Sequence, residues 1–149
     1  MEIPSHTTTV LLIDPNTEDR QYWTERLRIC SKDYTVVEAD SAEGGLTICK
    51  TERVDCVVTE LHLPDMSGFL VLLRVNPIVR TLRMPVVVLS HLVLPLVITA
   101  AKRLGAQSYL IKSQASGDEL DIEIKKAIAK VAPTRKERSA VSFPPSVSP

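Results

Sequence analysis

Residues 55–68 have the sequence DCVVTELHLPDMSG, in which an apolar run leads into a loop with proline and glycine. Its first part, DCVVT, is almost continuously apolar, which is typical of a parallel strand covered on both faces. The run ends at Glu60, and a loop containing Pro64 and Gly68 follows it. Because function collects at the carboxyl ends of parallel strands, Glu60 is a candidate functional residue.

Four further runs have the same character, and segments with helical spacing separate all five. The four runs are 9–13 (TVLLI), 34–38 (YTVVE), 85–89 (PVVVL) and 108–111 (SYLI). Helix starts are predicted at Asn16 or Thr17, Ser41, Ser67, Pro95 and Ser116, and Gly105 is a predicted helix end. Five strands alternating with five helices predict an α/β fold with a doubly wound parallel sheet. The second helix contains Gly44 and Gly45 and is therefore expected to be the least stable of the five.

The chain divides into a leader, one domain and a tail. Residues 1–8 precede the first strand, residues 9–132 hold the alternating pattern, and residues 133–149 contain four prolines and four serines without periodicity. We expect the tail to be a flexible linker. A chain of 149 residues with 44% hydrophobic content is suited to one compact domain.

Charge and cysteine usage limit the function classes. Eighteen basic and eighteen acidic residues leave no net charge, which argues against direct nucleic-acid binding. No apolar run is long enough to span a bilayer, and the N-terminus lacks a signal-peptide pattern. Cys30, Cys49 and Cys56 show no metal-ligand spacing and are predicted to be core thiols of a cytoplasmic protein.

Polar residues stand at the ends of four predicted strands. Asp14 follows the first, Glu60 the third, Ser90 the fourth and Lys112 the fifth. Parallel topology would gather them at one sheet edge, where burial favours pairing of Glu60 with Lys112. Alternatively, each is merely the first polar residue after a buried strand.

Four segments resemble the signature stretches of receiver domains of two-component response regulators, in order, and the likeness spans residues 9–132. They are VLLIDPN, DCVVTELHLPDMSG, MPVVVLS and GAQSYLIK. The resemblance implies a flavodoxin-like fold with strand order 2-1-3-4-5. It also implies the following roles: Asp14 as first acidic residue, Glu60 at the phosphate-acceptor position, Ser90 as switch hydroxyl, Tyr109 as switch aromatic, Lys112 as the lysine, and Thr59 as a phosphate-pocket position.

Three departures from the receiver pattern predict a degenerate, pseudo-receiver site. Pro15 replaces the second acidic residue and so removes a magnesium ligand. Glu60 is one methylene longer than the usual aspartate, which displaces its carboxylate from the geometry of phosphoryl transfer. Ser113 replaces a proline, so the bond after Lys112 is expected to be trans. We expect no active catalytic residue and no cofactor, with magnesium at most weakly bound by Asp14 and Glu60.

The segment 91–98, HLVLPLVI, predicts a protein interface. A helix packed on a sheet buries only one stripe, so Val93, Leu94, Leu96 and Val97 cannot all face inward. The resemblance implies that the face of the fourth helix, fifth strand and fifth helix serves for dimerisation or output. The alternative is a compact loop that folds these side chains into the core. His91 is interpreted as a loop residue.

Two other functions compete with a non-catalytic module that binds partners. The first is a receiver that catalyses its own phosphorylation from a histidine kinase with magnesium, at Glu60 or at a hydroxyl such as Thr59 or Ser90. The second is a flavin-binding protein of the same topology. The loop 14–20, DPNTEDR, argues against a flavin because its acidic residues would repel a phosphate.

Overall fold

The computed structural model describes residues 7–77 and 83–131, which form alternating strands and helices. The strands are β1 (Thr8–Ile13), β2 (Tyr34–Ala39), β3 (Cys56–Thr59), β4 (Val86–Ser90) and β5 (Ser108–Ile111). The helices are α1 (Thr17–Cys30), α2 (Ala42–Thr51), α3 (Gly68–Val75), α4 (Pro95–Arg103) and α5 (Gly117–Val131). The elements are those that the sequence predicts, in the same order.

All five strands are parallel, and the sheet has the order β2-β1-β3-β4-β5. The predicted doubly wound, flavodoxin-like fold is therefore confirmed. Alternate residues of a strand point to opposite faces of the sheet and so enter two separate cores. In β3, Val57 packs with α2 and α3, whereas Cys56 and Val58 pack with α1 and α5. Burial on both faces explains why the strands are almost continuously apolar.

Side-chain caps fix where the helices begin. Asn16 accepts a hydrogen bond from the Asp19 N–H, and Ser41 accepts one from the Gly44 N–H, as the sequence predicts. Helix α4 begins at Pro95, and Gly105 beyond its end has a φ of 109°, which lies in the left-handed region. The described residues contain no cis peptide bond, so the predicted trans bond before Ser113 is confirmed.

Gly45 has a packing role that helix propensity does not reveal. A Cβ atom added at this position would lie 2.3 Å from Cδ1 of Ile13. Helix α2 therefore contacts β1 at a distance that only glycine permits. At Gly44 the corresponding nearest atom is the Ser41 hydroxyl oxygen, at 3.1 Å.

One detail differs from the sequence interpretation. Cys56 is buried, and Cys49 is partly buried and packs against the core. Cys30 is also only partly buried and contacts Asp118 of α5, so the prediction of a core thiol is wrong for Cys30. The predicted tail, 133–149, lies outside the described residues, as does the leader up to residue 6. Within the described residues, no helix is both long and apolar enough to span a bilayer.

Candidate functional site

The carboxyl ends of β1, β3 and β5 bring three charged side chains together. Asp14 and Glu60 are only 1% and 2% exposed. The Nζ atom of Lys112 lies 2.6 Å from Oδ2 of Asp14 and 3.7 Å from Oε1 of Glu60. The predicted pairing of Glu60 with Lys112 is thus present, although Asp14 is the closer partner.

Asp19 is a member of this cluster that the sequence reasoning missed. Its Oδ2 lies 3.0 Å from the Lys112 Nζ. Acidic residues are common in the first turn of a helix because they interact favourably with the helix dipole. Because Asp19 fits this ordinary role, its residue type alone does not indicate the contact with Lys112. The available signal was position, since α1 begins directly after β1 at the edge where Asp14 stands.

The cluster keeps the Lys112 side chain charged. Burial by itself would lower the pKa of Lys112, but its contacts with Asp14 and Asp19 and the charge of Glu60 outweigh that effect. The net result is that the pKa of Lys112 is raised above the ordinary value of lysine. The positive charge of Lys112 therefore partly offsets the negative charges of Asp14, Asp19 and Glu60.

Glu60 has its closest polar contact with His91, a residue that the sequence identified only as part of a loop. The His91 Nδ1 lies 2.5 Å from Glu60 Oε1, and the His91 backbone N–H points to the same oxygen at 3.5 Å. The other carboxylate oxygen, Oε2, accepts a hydrogen bond from the Leu61 N–H at 3.0 Å. The groups that contact this carboxylate are thus the His91 ring, two backbone N–H groups and, at 3.7 Å, the Lys112 ammonium.

The donor set does not fit the oxygen octahedron that magnesium requires. Pro15 has no side-chain oxygen, and Oδ2 of Asp14 is already in contact with Lys112. Oδ1 of Asp14 accepts a hydrogen bond from the Asn16 N–H at 2.9 Å. Among residues 7–77 and 83–131, no group of three or more His, Cys, Asp or Glu side chains is arranged to hold a metal ion.

The predicted hydroxyl and aromatic positions lie beside the charged cluster, but their side chains bond to the backbone. The Ser90 Oγ accepts a hydrogen bond from the Leu92 N–H, and the Tyr109 hydroxyl donates one to the Leu92 carbonyl at 2.8 Å. The Thr59 hydroxyl donates to the Glu60 carbonyl. The side chains of Ser90 and Tyr109 therefore both form hydrogen bonds with the backbone of Leu92, in the loop between β4 and α4.

The loop between β3 and α3 is tied to α2. The Asp65 carboxylate accepts hydrogen bonds from the N–H groups of Glu43 and Ala42, at 2.8 and 2.9 Å. These bonds, that of Glu43 first, lower the pKa of Asp65. At the end of the loop, a Cβ atom on Gly68 would lie 2.6 Å from the Leu61 Cα. This close approach explains the glycine that follows the strand in DCVVTELHLPDMSG.

Three of the four predicted interface residues point outward. Val93, Leu94 and Leu96 are 53%, 59% and 85% exposed. Val97 instead packs partly against the core, as Leu92 does. The compact-loop alternative is therefore wrong for three residues and right for Val97. Of the aromatic pair on α1, Trp23 is buried and Tyr22 is exposed.

An open parallel sheet with acidic, hydroxyl and lysine side chains gathered at its carboxyl edge is a flavodoxin-like fold with its functional crevice at the ends of the strands. The profile of the response regulator receiver domain matches residues 10–125, and the chain belongs to that family. Receiver domains are signalling modules of two-component systems rather than enzymes in the usual sense.

Relatives and solved structures agree with this assignment. The two-component response regulator ORR3 of Oryza sativa subsp. indica is 31% identical over 117 residues, which cover 78% of this chain and 88% of that protein. The transcriptional regulatory protein GlrR of Escherichia coli K12 is 34% identical over 116 residues, but this match covers 75% of the chain and only 24% of GlrR.

Among solved structures, a response regulator receiver domain protein from Clostridium thermocellum superimposes with a TM-score of 0.71 at 27% identity, covering 83% of this chain and 95% of that one. The receiver domain of an HD domain-containing protein from Pseudomonas fluorescens Pf-5 has a TM-score of 0.75 at 23% identity, with 93% and 97% coverage. The second likeness supports the fold alone.

Proposed function

We propose that this receiver domain is a degenerate one that signals through protein contacts and not through an aspartyl phosphate. The observation that carries the proposal is the ion pair between Lys112 and Asp14 at 2.6 Å, next to Pro15. A carboxylate that would bind magnesium is replaced by proline, and the remaining one is occupied by an ammonium. The positive charge of the site is supplied by the chain itself.

Glu60 supports the same conclusion. Its longer side chain places the carboxylate between the Lys112 ammonium and the His91 ring. In-line attack on a phosphoryl donor tolerates little displacement of the nucleophile. In this proposal Glu60 acts as a fixed negative charge that partly takes the place of a phosphoryl group and holds the domain in one signalling state.

The proposed partners are proteins. A second copy of this chain, or another protein, would bind the face of α4, β5 and α5 through the exposed Val93, Leu94 and Leu96. The proposed upstream partner is a histidine kinase, as for receivers in general. We propose no direct contact with nucleic acid or membrane, since the formal net charge is +0. The free cysteines fit a reducing cytoplasm.

One observation favours the alternative, a receiver that catalyses its own phosphorylation with magnesium. Asp19 contributes a carboxylate 3.0 Å from the Lys112 Nζ. If the lysine moved away, the carboxylates of Asp14 and Asp19 would both be free to bind a magnesium ion. The missing ligand at Pro15 would then be supplied from α1. We rank this function second because it requires the Lys112 ion pairs to break.

Calorimetric titration of the protein with magnesium, with and without beryllium fluoride, tests the proposal. We expect no stoichiometric heat at millimolar magnesium and no change in hydrodynamic radius with the fluoride complex. Saturable binding of either ligand, lost on Asp14→Ala substitution, would establish the alternative.

A further inference from the structure

We propose that His91 is a phosphoryl acceptor, oriented by Glu60, and that Nε2 is the nucleophilic atom. This inference does not depend on the proposed function. It rests on the contrast between the two partners of one contact: the Glu60 side chain is 2% exposed, whereas the His91 side chain is 60% exposed. A buried carboxylate thus holds one edge of an imidazole whose other edge faces solvent.

Glu60 offers an oxygen acceptor to the His91 ring. Glu60 accepts hydrogen bonds from backbone N–H groups of Leu61 and His91 and lies 3.7 Å from the Lys112 ammonium. The tautomer of His91 that matches these contacts has the proton on Nδ1, which donates to Glu60 Oε1. In the neutral ring Nε2 then keeps its lone pair. Because Nδ1 faces the buried carboxylate, that lone pair lies on the exposed edge.

This pairing is the arrangement of a nucleophile supported by a neighbouring carboxylate. With a phosphoramidate donor whose nitrogen is protonated, the Nε2 lone pair attacks phosphorus, an N–P bond forms, and the P–N bond of the donor breaks, so that its electron pair leaves with the nitrogen as neutral ammonia. The ring gains a positive charge, and the Nδ1 proton remains shared with Glu60, whose negative charge balances it. A phosphohistidine of another protein belongs to the same chemical class of donor.

The other hydroxyl and imidazole groups near the site are less suited to this reaction. Ser90 and Thr59 are fully buried, and both hydroxyls are bonded to the backbone. The His62 ring lies 6.4 Å from that of His91, centroid to centroid, and no described carboxylate contacts it. His62 is therefore a matched internal control: an exposed histidine of the same neighbourhood without a carboxylate.

The loop that carries His91 is also suited to an anion. It leads into α4, whose N-terminus begins at Pro95 and has no side-chain cap hydrogen bond. Pro95 has no N–H, and the Val97 and Ile98 N–H groups already bond to the Leu94 carbonyl, so the helix dipole alone favours negative charge at this end. This feature would support a phosphoryl group but does not by itself define the site.

The test is phosphorylation of the full chain by phosphoramidate without magnesium, followed by intact mass and phosphorus NMR. We expect an acid-labile, alkali-stable adduct at His91, absent in His91→Asn and kept in His62→Asn. Glu60→Gln keeps an acceptor for Nδ1 but lacks the charge, so its rate should fall by at least about tenfold. Circular dichroism would verify that each variant is folded.

The possible results separate this inference from the proposed function. Equal labelling of wild type and His91→Asn would overturn His91 as the acceptor, and an equal rate in Glu60→Gln would overturn the orienting role of Glu60. No adduct would also overturn it while leaving the degenerate receiver intact. An alkali-labile adduct in wild type would instead show an acyl phosphate on a carboxylate, which contradicts both.

Discussion

The Lys112 ammonium lies 2.6 Å from the Asp14 carboxylate, although β3 and β4 separate the strands that these residues follow. The long lysine side chain crosses the carboxyl edge of the sheet and passes within 3.7 Å of Glu60. Edge strand β5 is thereby connected electrostatically to β1. Removal of this one cation would leave Asp14 and Glu60 buried without their principal counter-charge.

Lys112→Met should therefore destabilise the domain by about 3 kcal/mol at pH 7, because breaking a buried ion pair leaves an uncompensated charge. Urea denaturation measures the free energy of unfolding. Because the folded-state pKa of Lys112 is raised, its contribution is present at neutral pH and is lost as the pH rises through that folded-state pKa.

The matched control for this prediction is Lys126→Met. Lys126 is 70% exposed and lies 3.7 Å from Glu123 on α5. Surface pairs of this kind contribute about 0.3–0.5 kcal/mol at most. Equal losses in the two variants would mean that the buried cluster has no special energetic importance.

The combined substitution Pro15→Asp with Glu60→Asp should restore magnesium binding and phosphorylation by a small donor. Either change alone should do much less, because metal ligand and acceptor act as a unit. Calorimetry measures the metal and alkali-labile phosphate measures the acceptor. Efficient phosphorylation of Glu60→Asp alone would show that Pro15 does not impair the site.

Gly45→Ala should destabilise the domain by about 1–3 kcal/mol, even though alanine is the better helix former. The reason is the 2.3 Å approach of the added Cβ to Ile13, which forces α2 away from β1. Gly44→Ala is the control, since its nearest neighbour is a hydroxyl at 3.1 Å. Thermal unfolding of both variants measures the difference. A stabilised Gly45→Ala protein would show that the contact relaxes freely.

Asp65→Asn should remove part of the acid sensitivity of the domain. Hydrogen bonds from Glu43 and Ala42 lower the folded-state pKa of Asp65, so its contribution is present above the unfolded-state pKa and is lost as the pH falls through the folded-state value. The higher free energy of unfolding of wild type relative to the variant should therefore disappear below about pH 4. Denaturation at a series of pH values measures this, and a constant difference would contradict it.

Sequence periodicity was sufficient for the fold because the strands are buried on both faces and the helix caps have strong residue preferences. It placed Asp14, Glu60 and Lys112 at one edge because parallel topology leaves no other arrangement. It did not identify Asp19, although the position of this residue in the first turn of α1, close to Asp14, was an available signal. It could not find the contact of His91, which depends on the course of the β4–α4 loop. Nor could it find the role of Gly45, which depends on the distance between α2 and β1.

The exposed side chains that open α4 predict self-association. Leu96 is 85% exposed, and burial of such a side chain against a partner gains about 1.5–3 kcal/mol. In a two-fold dimer the patch would meet its own copy, so a charge at its centre would face a like charge. Leu94→Glu or Leu96→Glu should weaken dimerisation at least about tenfold, measured by sedimentation, with circular dichroism unchanged.

Ile29→Glu provides the control for this prediction, because Ile29 is 68% exposed and lies on α1, outside the apolar segment that opens α4, although α1 itself packs against α5. It adds the same charge and removes a similar aliphatic side chain, so general effects on solubility would appear in it equally. We expect its dimerisation to match that of wild type. A wild-type protein that stays monomeric at about 100 μM, or an equal loss in Ile29→Glu, would show that the apolar segment does not form a homodimer interface.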